Sequence, residues 1–460
     1  MLMFTIYIEW GVEMLLDFSV ENYKSFLEKA QFSMIPAPRQ HGLDYSILQK
    51  KIGSRIVKGL CSAVVYGPNA SGKTNIIGAM DVLRSIVLRG NIRNAEDQNS
   101  PNKAIYNLEL IPNNHLDEIK PVTFRISFLE NGIKFDYELS ALFGMFLDDT
   151  AQRSVKNEKL SINDKMVFER TDKVKLGDFK KLKSYISTQA IDNVDTINLV
   201  ANQSLSEEEL FLSNGFKLLI SQKLSKIIID WFTEKFMVIY RADAIQLIRR
   251  FSDPQKKKIY VEKIINEAAK TFGINSNSVA YVEKGDDGEA KLYSILKDKA
   301  GYRAVLADVF ESFGTVRFIN LFPLVLRAIV TGGTLIVDEF DASIHPIALM
   351  SIISIFHNDD INKKQAQLIF NTHNPIFLNS NIFRRDEIKF VEKDDNSNLS
   401  EIYSLSDFGT AGENGVRKGE DYMKNYFVSQ YGAIKNIDFS PIFEDLISKE
   451  DLISKEENNG

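Results

Sequence analysis

The stretch Ser62-Ala-Val-Val-Tyr-Gly-Pro-Asn-Ala-Ser-Gly-Lys-Thr-Asn-Ile-Ile-Gly-Ala-Met80 decides the fold. Five apolar or small residues read as a buried strand. A glycine-bounded loop follows, and then a helix with apolar positions at Ile76, Ile77, Met80, Leu83, Ile86 and Val87. Residues 67–74 satisfy G-x-x-x-x-G-K-[ST] in full. In that pattern Gly67, Pro68, Asn69, Ala70, Ser71 and Gly72 form a loop whose backbone N–H groups approach phosphates at a helix N-terminus. Lys73 reaches the β- and γ-phosphates, and Thr74 offers a hydroxyl to Mg²⁺. The expected ligands are therefore ATP and Mg²⁺, on an α/β fold.

A second element completes the first. Thr334-Leu-Ile-Val-Asp-Glu339 is an apolar run ending in two carboxylates, some 265 residues beyond Lys73. Asp338 is expected to hold Mg²⁺ and Glu339 to deprotonate the attacking water. About 35 residues later Leu368-Ile-Phe-Asn-Thr-His373 is a further strand. A lone histidine is usually structural, but in this order His373 points to the γ-phosphate. Glu311-Ser-Phe-Gly-Thr315 admits two readings. Ser312 is either a plain helix N-cap or, with Gly314, a phosphate contact. Asp341-Ala-Ser-Ile-His-Pro346 reads as a loop at a subunit boundary.

Composition narrows the field around these motifs. The chain has 460 residues, 44% hydrophobic and 26% charged, which suits a soluble globular protein of two lobes or one lobe with an insertion. With 56 basic and 62 acidic residues the net charge is −6, giving no overall bias toward nucleic acid. Lys256-Lys257-Lys258 is a candidate basic patch, with a solvated helix start as the plainer reading. The single cysteine, Cys61, excludes an internal disulfide and a cysteine-rich metal site. No uninterrupted apolar span reaches the length of a membrane helix, so no membrane association and a cytoplasmic location are expected. The first residues carry Glu9 and Glu13 and no early Lys or Arg, which suggests Met14 as the start rather than a signal peptide.

Along the chain, residues 1–150 read as the first half of an ATPase head. Strands are expected at LLDFSVENY and KAQFSM, and a hairpin turns at Asn131-Gly132 within VTFRISFLENGIKFDYEL. Residues 151–275 are rich in Lys, Ile, Leu, Asp and Asn and read as a mainly helical insertion, with helices near 206–239 and 254–272. Residues 276–460 return to mixed α/β, with RAVLADVFESFG and VRFINLFPLVLRAIV as helices. EDLISK repeats at 444–449 and 450–455 as a frayed amphipathic end.

These motifs in this order resemble the ABC-type ATPases related to the SMC and RecF proteins. Residues 67–74 with Asn75 match Walker A, 334–339 Walker B, 341–345 the D-loop with Asp341, and His373 the switch histidine. Ser312 to Thr315 look like a degenerate signature motif, and Asn22-Tyr-Lys-Ser-Phe26 matches the first strand-turn of the group. DEFDASIHP and YFVSQYGAIKN (426–436) are similar to RloA-like and OLD-like bacterial ATPases. The resemblance implies an ABC-type head of mixed sheet plus antiparallel β subdomain. It also implies a homodimer or higher even-numbered oligomer that sandwiches ATP, with Ser312 and Gly314 acting in trans. No convincing Q-loop is found, Gln152 being poorly placed for it. Members of the group act in anti-phage defence beside a separate Toprim-like nuclease, as in the two-gene PARIS and RloA/RloB systems. A phage-encoded protein or nucleic acid is the candidate trigger. With 87 residues after His373, the chain is not expected to be the nuclease itself. A DNA-repair ATPase that clamps nucleic acid is the alternative, and the lack of heptads and of a Cys-x-x-Cys hook weighs against it. An ABC transporter subunit is weaker still.

Overall fold

The computed structural model describes residues 13–447 apart from 39, 41, 53–54, 94–108, 117, 147–151, 204, 241–258, 261–262, 284–289, 411–414, 418 and 436. The Lys256-Lys257-Lys258 run and the second EDLISK copy lie outside the described residues.

Six strands form the central sheet, in the order Phe236–Ile239, Thr334–Val337, Gln367–Asn371, Ser62–Tyr66, Ile388–Lys393, Ser400–Ser404. The first five run parallel and the last is antiparallel. Every residue of Ser62–Tyr66, Thr334–Val337 and Gln367–Asn371 is buried. Their unbroken apolar runs are those of strands covered on both faces. Ala63, Val65, Ile336 and Ile369 meet the helix Lys73–Arg89 on one face. Val64, Tyr66, Leu335, Val337, Leu368 and Phe370 meet the helices Phe313–Thr331 and Pro346–Phe356 on the other. All six apolar positions expected of the helix after the loop are buried.

Seven strands form an antiparallel sheet that shares the core of the Lys73–Arg89 helix. Their order is Val174–Leu176, Lys165–Arg170, Ser154–Ile162, Ile133–Leu142, Val122–Glu130, Met14–Glu21, Ala30–Ser33. The expected hairpin closes with Glu130 opposite Ile133 around Asn131-Gly132. The mixed sheet beside an antiparallel one is the expected P-loop head.

Three expected helical stretches are corrected, two in the insertion and one after it. Residues 154–176 are strands. Their alternation is hidden because two of the inward positions, Glu158 and Arg170, are charged and almost wholly buried. Glu158 accepts from the Leu212 N–H at 2.9 Å, from the Phe211 N–H at 2.6 Å and from the Tyr137 hydroxyl at 3.0 Å. Arg170 donates to the Ser206 and Glu209 carbonyls. A charged pair thus pins the helical stretch to the sheet. Residues 236–239, read as the end of a helix, are an edge strand of the central sheet, entered from a stack of Trp231 on Phe128 and Phe236. Finally, Arg303–Leu306 of RAVLADVF belong to the strand Gly301–Leu306 of a four-stranded antiparallel sheet with Ile259–Tyr260, Ser278–Glu283 and Ala290–Asp298. Only Ala307–Phe310 of that stretch is helical.

The helix Phe313–Thr331 is long and apolar enough to cross a membrane by length and composition, although Arg317 and Arg327 interrupt its apolar run. More than half of its most apolar window is buried inside the protein. Its apolar character belongs to the core.

At the amino-terminal edge of the central sheet a second polar cluster is buried. The Ser62 hydroxyl donates to Glu387 Oε1 at 2.6 Å and lies 2.8 Å from His357 Nε2, with Cys61 Sγ 4.0 Å from the same carboxylate oxygen. Hydrogen bonds thus satisfy the trio of Cys61, His357 and Glu387. Burial pushes the Glu387 carboxyl up to about 8 and the His357 imidazole down to about 4. A raised carboxyl contributes stability below its ordinary value of 4.5 that is lost as pH rises through about 8. A lowered imidazole contributes stability above 6.5 that is lost as pH falls through about 4. The melting temperature is therefore expected to drop between pH 6 and pH 9, and to drop less in Glu387→Gln. Equal drops in both proteins would clear Glu387 of the effect.

Candidate functional site

The sheet register brings the motif ends together. Val65 lies opposite Asn371 and Val337 opposite Phe370, so the three strands end at one edge. From it leave the glycine loop, the Asp338-Glu339 pair and the Thr372-His373 turn. Ligands bind parallel sheets at this edge.

The loop is held tightly from outside. Gly67 has φ 155°, and a Cβ there would lie 2.2 Å from the Val391 carbonyl oxygen. The Ser400 hydroxyl donates to the Ser71 carbonyl at 2.6 Å. Asn75, counted among the nucleotide contacts, donates its amide to the Ser25 hydroxyl at 2.8 Å. It thereby braces the loop against the turn 22–26. Inside the loop, Lys73 is 5% exposed, and its ammonium donates to the Gly67 and Pro68 carbonyls at 2.7 and 2.8 Å. The Ser71 hydroxyl is buried without a hydrogen-bond partner. Asn69 and Ala70 are exposed.

Below the loop runs a chain of oxygen and amide groups. The Thr74 hydroxyl donates to Asp338 Oδ1 at 3.1 Å. The Asn371 amide nitrogen donates to the same oxygen, and the Asn371 carbonyl accepts from the Glu339 N–H. Glu339 sits in left-handed backbone, φ 50°, and its carbonyl accepts from the Arg317 guanidinium at 2.5 Å. His373 and Asp341 belong to the same electrostatic cluster. Burial and the Lys73 ammonium hold the imidazole below its ordinary value, against Asp341 and Asp338. Burial lowers Lys73 itself to about 8, although Asp338, Glu339 and Asp341 all pull the other way.

These residues fit Mg²⁺ and a nucleoside triphosphate. Thr74 and Asp338 face each other as hard oxygen donors, which suits Mg²⁺. The unpartnered Ser71 hydroxyl and the self-bonded Lys73 are donors that a phosphate would engage.

The remaining expected residues lie elsewhere. Ser312 is the N-cap of the helix Phe313–Thr331, accepting from the Thr315 N–H at 3.1 Å. Gly314 packs so closely on the Ser343 carbonyl that a Cβ would lie 2.1 Å from it. Both therefore adjoin the turn that carries Asp341, and the plain N-cap reading of Ser312 holds within one chain. Gln152 is bonded to Glu207, at 3.4 Å, beside the antiparallel sheet. The sequence reading missed Asn371 and Arg317. A polar residue ending the run Leu-Ile-Phe-Asn, and a lone cation in Val-Arg-Phe-Ile-Asn-Leu-Phe, were the available signals.

Residues 62–379 match the family model described as "AAA domain, putative AbiEii toxin, Type IV TA system". Among solved structures, an SMC head domain from Thermotoga maritima is similar over 85% of this chain and 98% of that one, at 13% identity and a TM-score of 0.32. No curated protein matches the sequence.

Lys73→Ala is expected to abolish binding of a fluorescent ATP analogue. Asn371→Ala is expected to leave binding within about threefold while lowering turnover at least tenfold, since it frees both Asp338 and the Glu339 N–H. Unchanged turnover in Asn371→Ala would remove Asn371 from the site.

Proposed function

The chain belongs to this AAA-domain family, and from that premise we propose that it is an ATP-hydrolysing regulatory subunit of a cytoplasmic bacterial anti-phage system. The observation that carries the ATPase reading is the unbroken line Thr74–Asp338–Asn371–Glu339 at the mouth of the glycine loop. Lys73 and the loop N–H groups hold the triphosphate. Mg²⁺, held by Thr74 and Asp338, would neutralise phosphate charge. Glu339 takes a proton from a water whose oxygen bonds to the γ-phosphorus as the bond to the β-phosphate oxygen breaks, yielding ADP and phosphate. His373, in the same cluster as Lys73, would face the γ-phosphate.

The dimer reading is supported by the surface around the signature-like turn. Val309, Phe313 and Ile347 are 76%, 64% and 71% exposed there, next to Ser312 and the D-loop. Two chains facing head to tail would close Ser312 and Gly314 of one over the phosphates of the other. The defence reading is supported by the resemblance of DEFDASIHP and YFVSQYGAIKN and by the toxin–antitoxin wording of the family description. Part of the second motif has a packing role: Tyr426 stacks on Phe390 and tilts against Tyr66. The adjacent Phe427 and Val428 remain exposed, at 59% and 65%. The partner is a separate Toprim-like nuclease, held in one nucleotide state and released in the other, with a phage protein or nucleic acid as trigger.

Glu339→Gln is expected to bind ATP like the wild type and to hydrolyse it at least a hundredfold more slowly. Equal turnover would overturn Glu339 as base. Mixing Lys73→Ala with Ser312→Arg chains is expected to restore one composite site per dimer, read as ATP-dependent association of the two chains; no association, where each mutant associates with wild type, would overturn the trans geometry.

For the partner, cells expressing this chain with its neighbouring gene should resist phage, and the two proteins should co-purify. Full protection by this chain alone, with nothing bound to it, would defeat the two-component reading.

A further inference from the structure

We propose that Arg317 is a positioning residue for Glu339, through which the helix headed by Ser312 governs hydrolysis in the chain's own site. The inference rests on the ATP-sandwich reading, in which Ser312 meets the partner's nucleotide.

The first turns of the helix Phe313–Thr331 grip the segment between Glu339 and Ser343 at two points. Gly314 is in close contact with the Ser343 carbonyl, and one turn further on Arg317 donates to the Glu339 carbonyl at 2.5 Å. Arg317 is only 6% exposed, and its guanidinium donates a charge-assisted hydrogen bond to the Glu339 carbonyl. Glu339 has left-handed backbone, which a residue with a Cβ adopts only when its surroundings impose it. Two clamps impose it here. Asn371 holds the N–H on one side and Arg317 the carbonyl on the other. The direction of the Glu339 carboxylate follows from both.

The clamps differ in how freely they can move. Asn371 ends a strand with hydrogen-bonded neighbours on each side. Arg317 rides on a helix that contains Pro323. Proline removes one backbone hydrogen bond and crowds the preceding turn, so the segment ahead of it can tilt as a unit. That segment carries Ser312 at its cap and Arg317 on its inner face. When Ser312 engages a phosphate, the tilt of this segment is transmitted to the Glu339 carbonyl. Each chain's general base is thus set by what its own signature-like cap touches, and the two sites of a dimer fire together rather than independently.

The first test uses full-length Arg317→Met and Arg317→Lys. Arg317→Met is expected to keep its affinity for a fluorescent ATP analogue and its KM within about threefold. It should associate with ATP as the wild type does and lose about 10- to 100-fold in kcat. Arg317→Lys should regain part of that loss. A merely structural role would instead lower melting temperature, affinity and kcat together.

The second test leaves Arg317 intact. In a mixed dimer of Ser312→Arg and Glu339→Gln chains, only the site on the Ser312→Arg chain has a base, and its partner supplies an intact Ser312. Coupling through the helix predicts that this site is silent. Turnover there at the wild-type rate per site would overturn the proposal. A wild-type chain that fails to associate with ATP would overturn the sandwich reading and the coupling with it. Normal association with undiminished kcat in Arg317→Met would overturn the role of Arg317 alone.

Discussion

One carboxylate oxygen, Asp338 Oδ1, receives hydrogen bonds from Thr74 at the start of a helix and from Asn371 at the end of a strand. The strands that carry Asp338 and Asn371 are adjacent and parallel, and the strand ahead of Thr74 is next in line. Parallel pairing turns their carboxyl ends to one edge, where the next residues leave the sheet with unpaired backbone groups and room for a ligand. Shifting any of the three by one residue would turn its side chains to the opposite face and break the convergence. The buried apolar runs, the glycines of the loop and the strained Glu339 all serve that alignment.

A second polar knot holds the frame in which this happens. Gln367 begins its strand fully buried. Its carbonyl accepts from the Leu15 N–H at 2.6 Å and the Thr334 hydroxyl at 2.9 Å, while its amide donates to the Leu15 and Leu60 carbonyls at 3.1 and 2.7 Å. All four hydrogen-bonding positions of the amide are used. They tie the antiparallel sheet, through Leu15, to the central sheet, through Thr334. At the other end, Glu158 and Arg170 fasten the antiparallel sheet to the helical stretch after it. Apolar packing would hold these layers together without fixing their relative position. Fully satisfied buried polar groups fix it, because any slip leaves a donor or acceptor unpaired at about 1–3 kcal/mol.

The same contrast explains what could be read from the sequence. The glycine loop, Asp338-Glu339 and the hairpin at Asn131-Gly132 were legible because their chemistry is local: a few adjacent residues fix the backbone and expose the groups. The strands at 154–176 were not, because Glu158 and Arg170 occupy inward positions that a period-two reading reserves for apolar residues. Their partners, Leu212 and Glu209, lie about 40 to 55 residues away. Arg303–Leu306 read as helix because the strand Gly301–Leu306 is largely exposed, so no buried stripe distinguishes the two periods. Asn371 and Arg317 were missed for a similar reason. Nothing around either residue discloses that its partner is the backbone of Glu339, 32 and 22 residues away.

The self-bonded lysine has a thermodynamic consequence of its own. With its ammonium closed on the Gly67 and Pro68 carbonyls and its pKa held near 8, Lys73 carries only a fraction of a proton in mildly alkaline solution. A triphosphate brings negative charge to the same spot and restores the full positive charge. Proton uptake is therefore expected to accompany nucleotide binding in mildly alkaline solution, read as a binding heat that changes with the ionisation enthalpy of the buffer. The loop, in the absence of ligand, is in this sense a weak buffer whose titration the nucleotide completes.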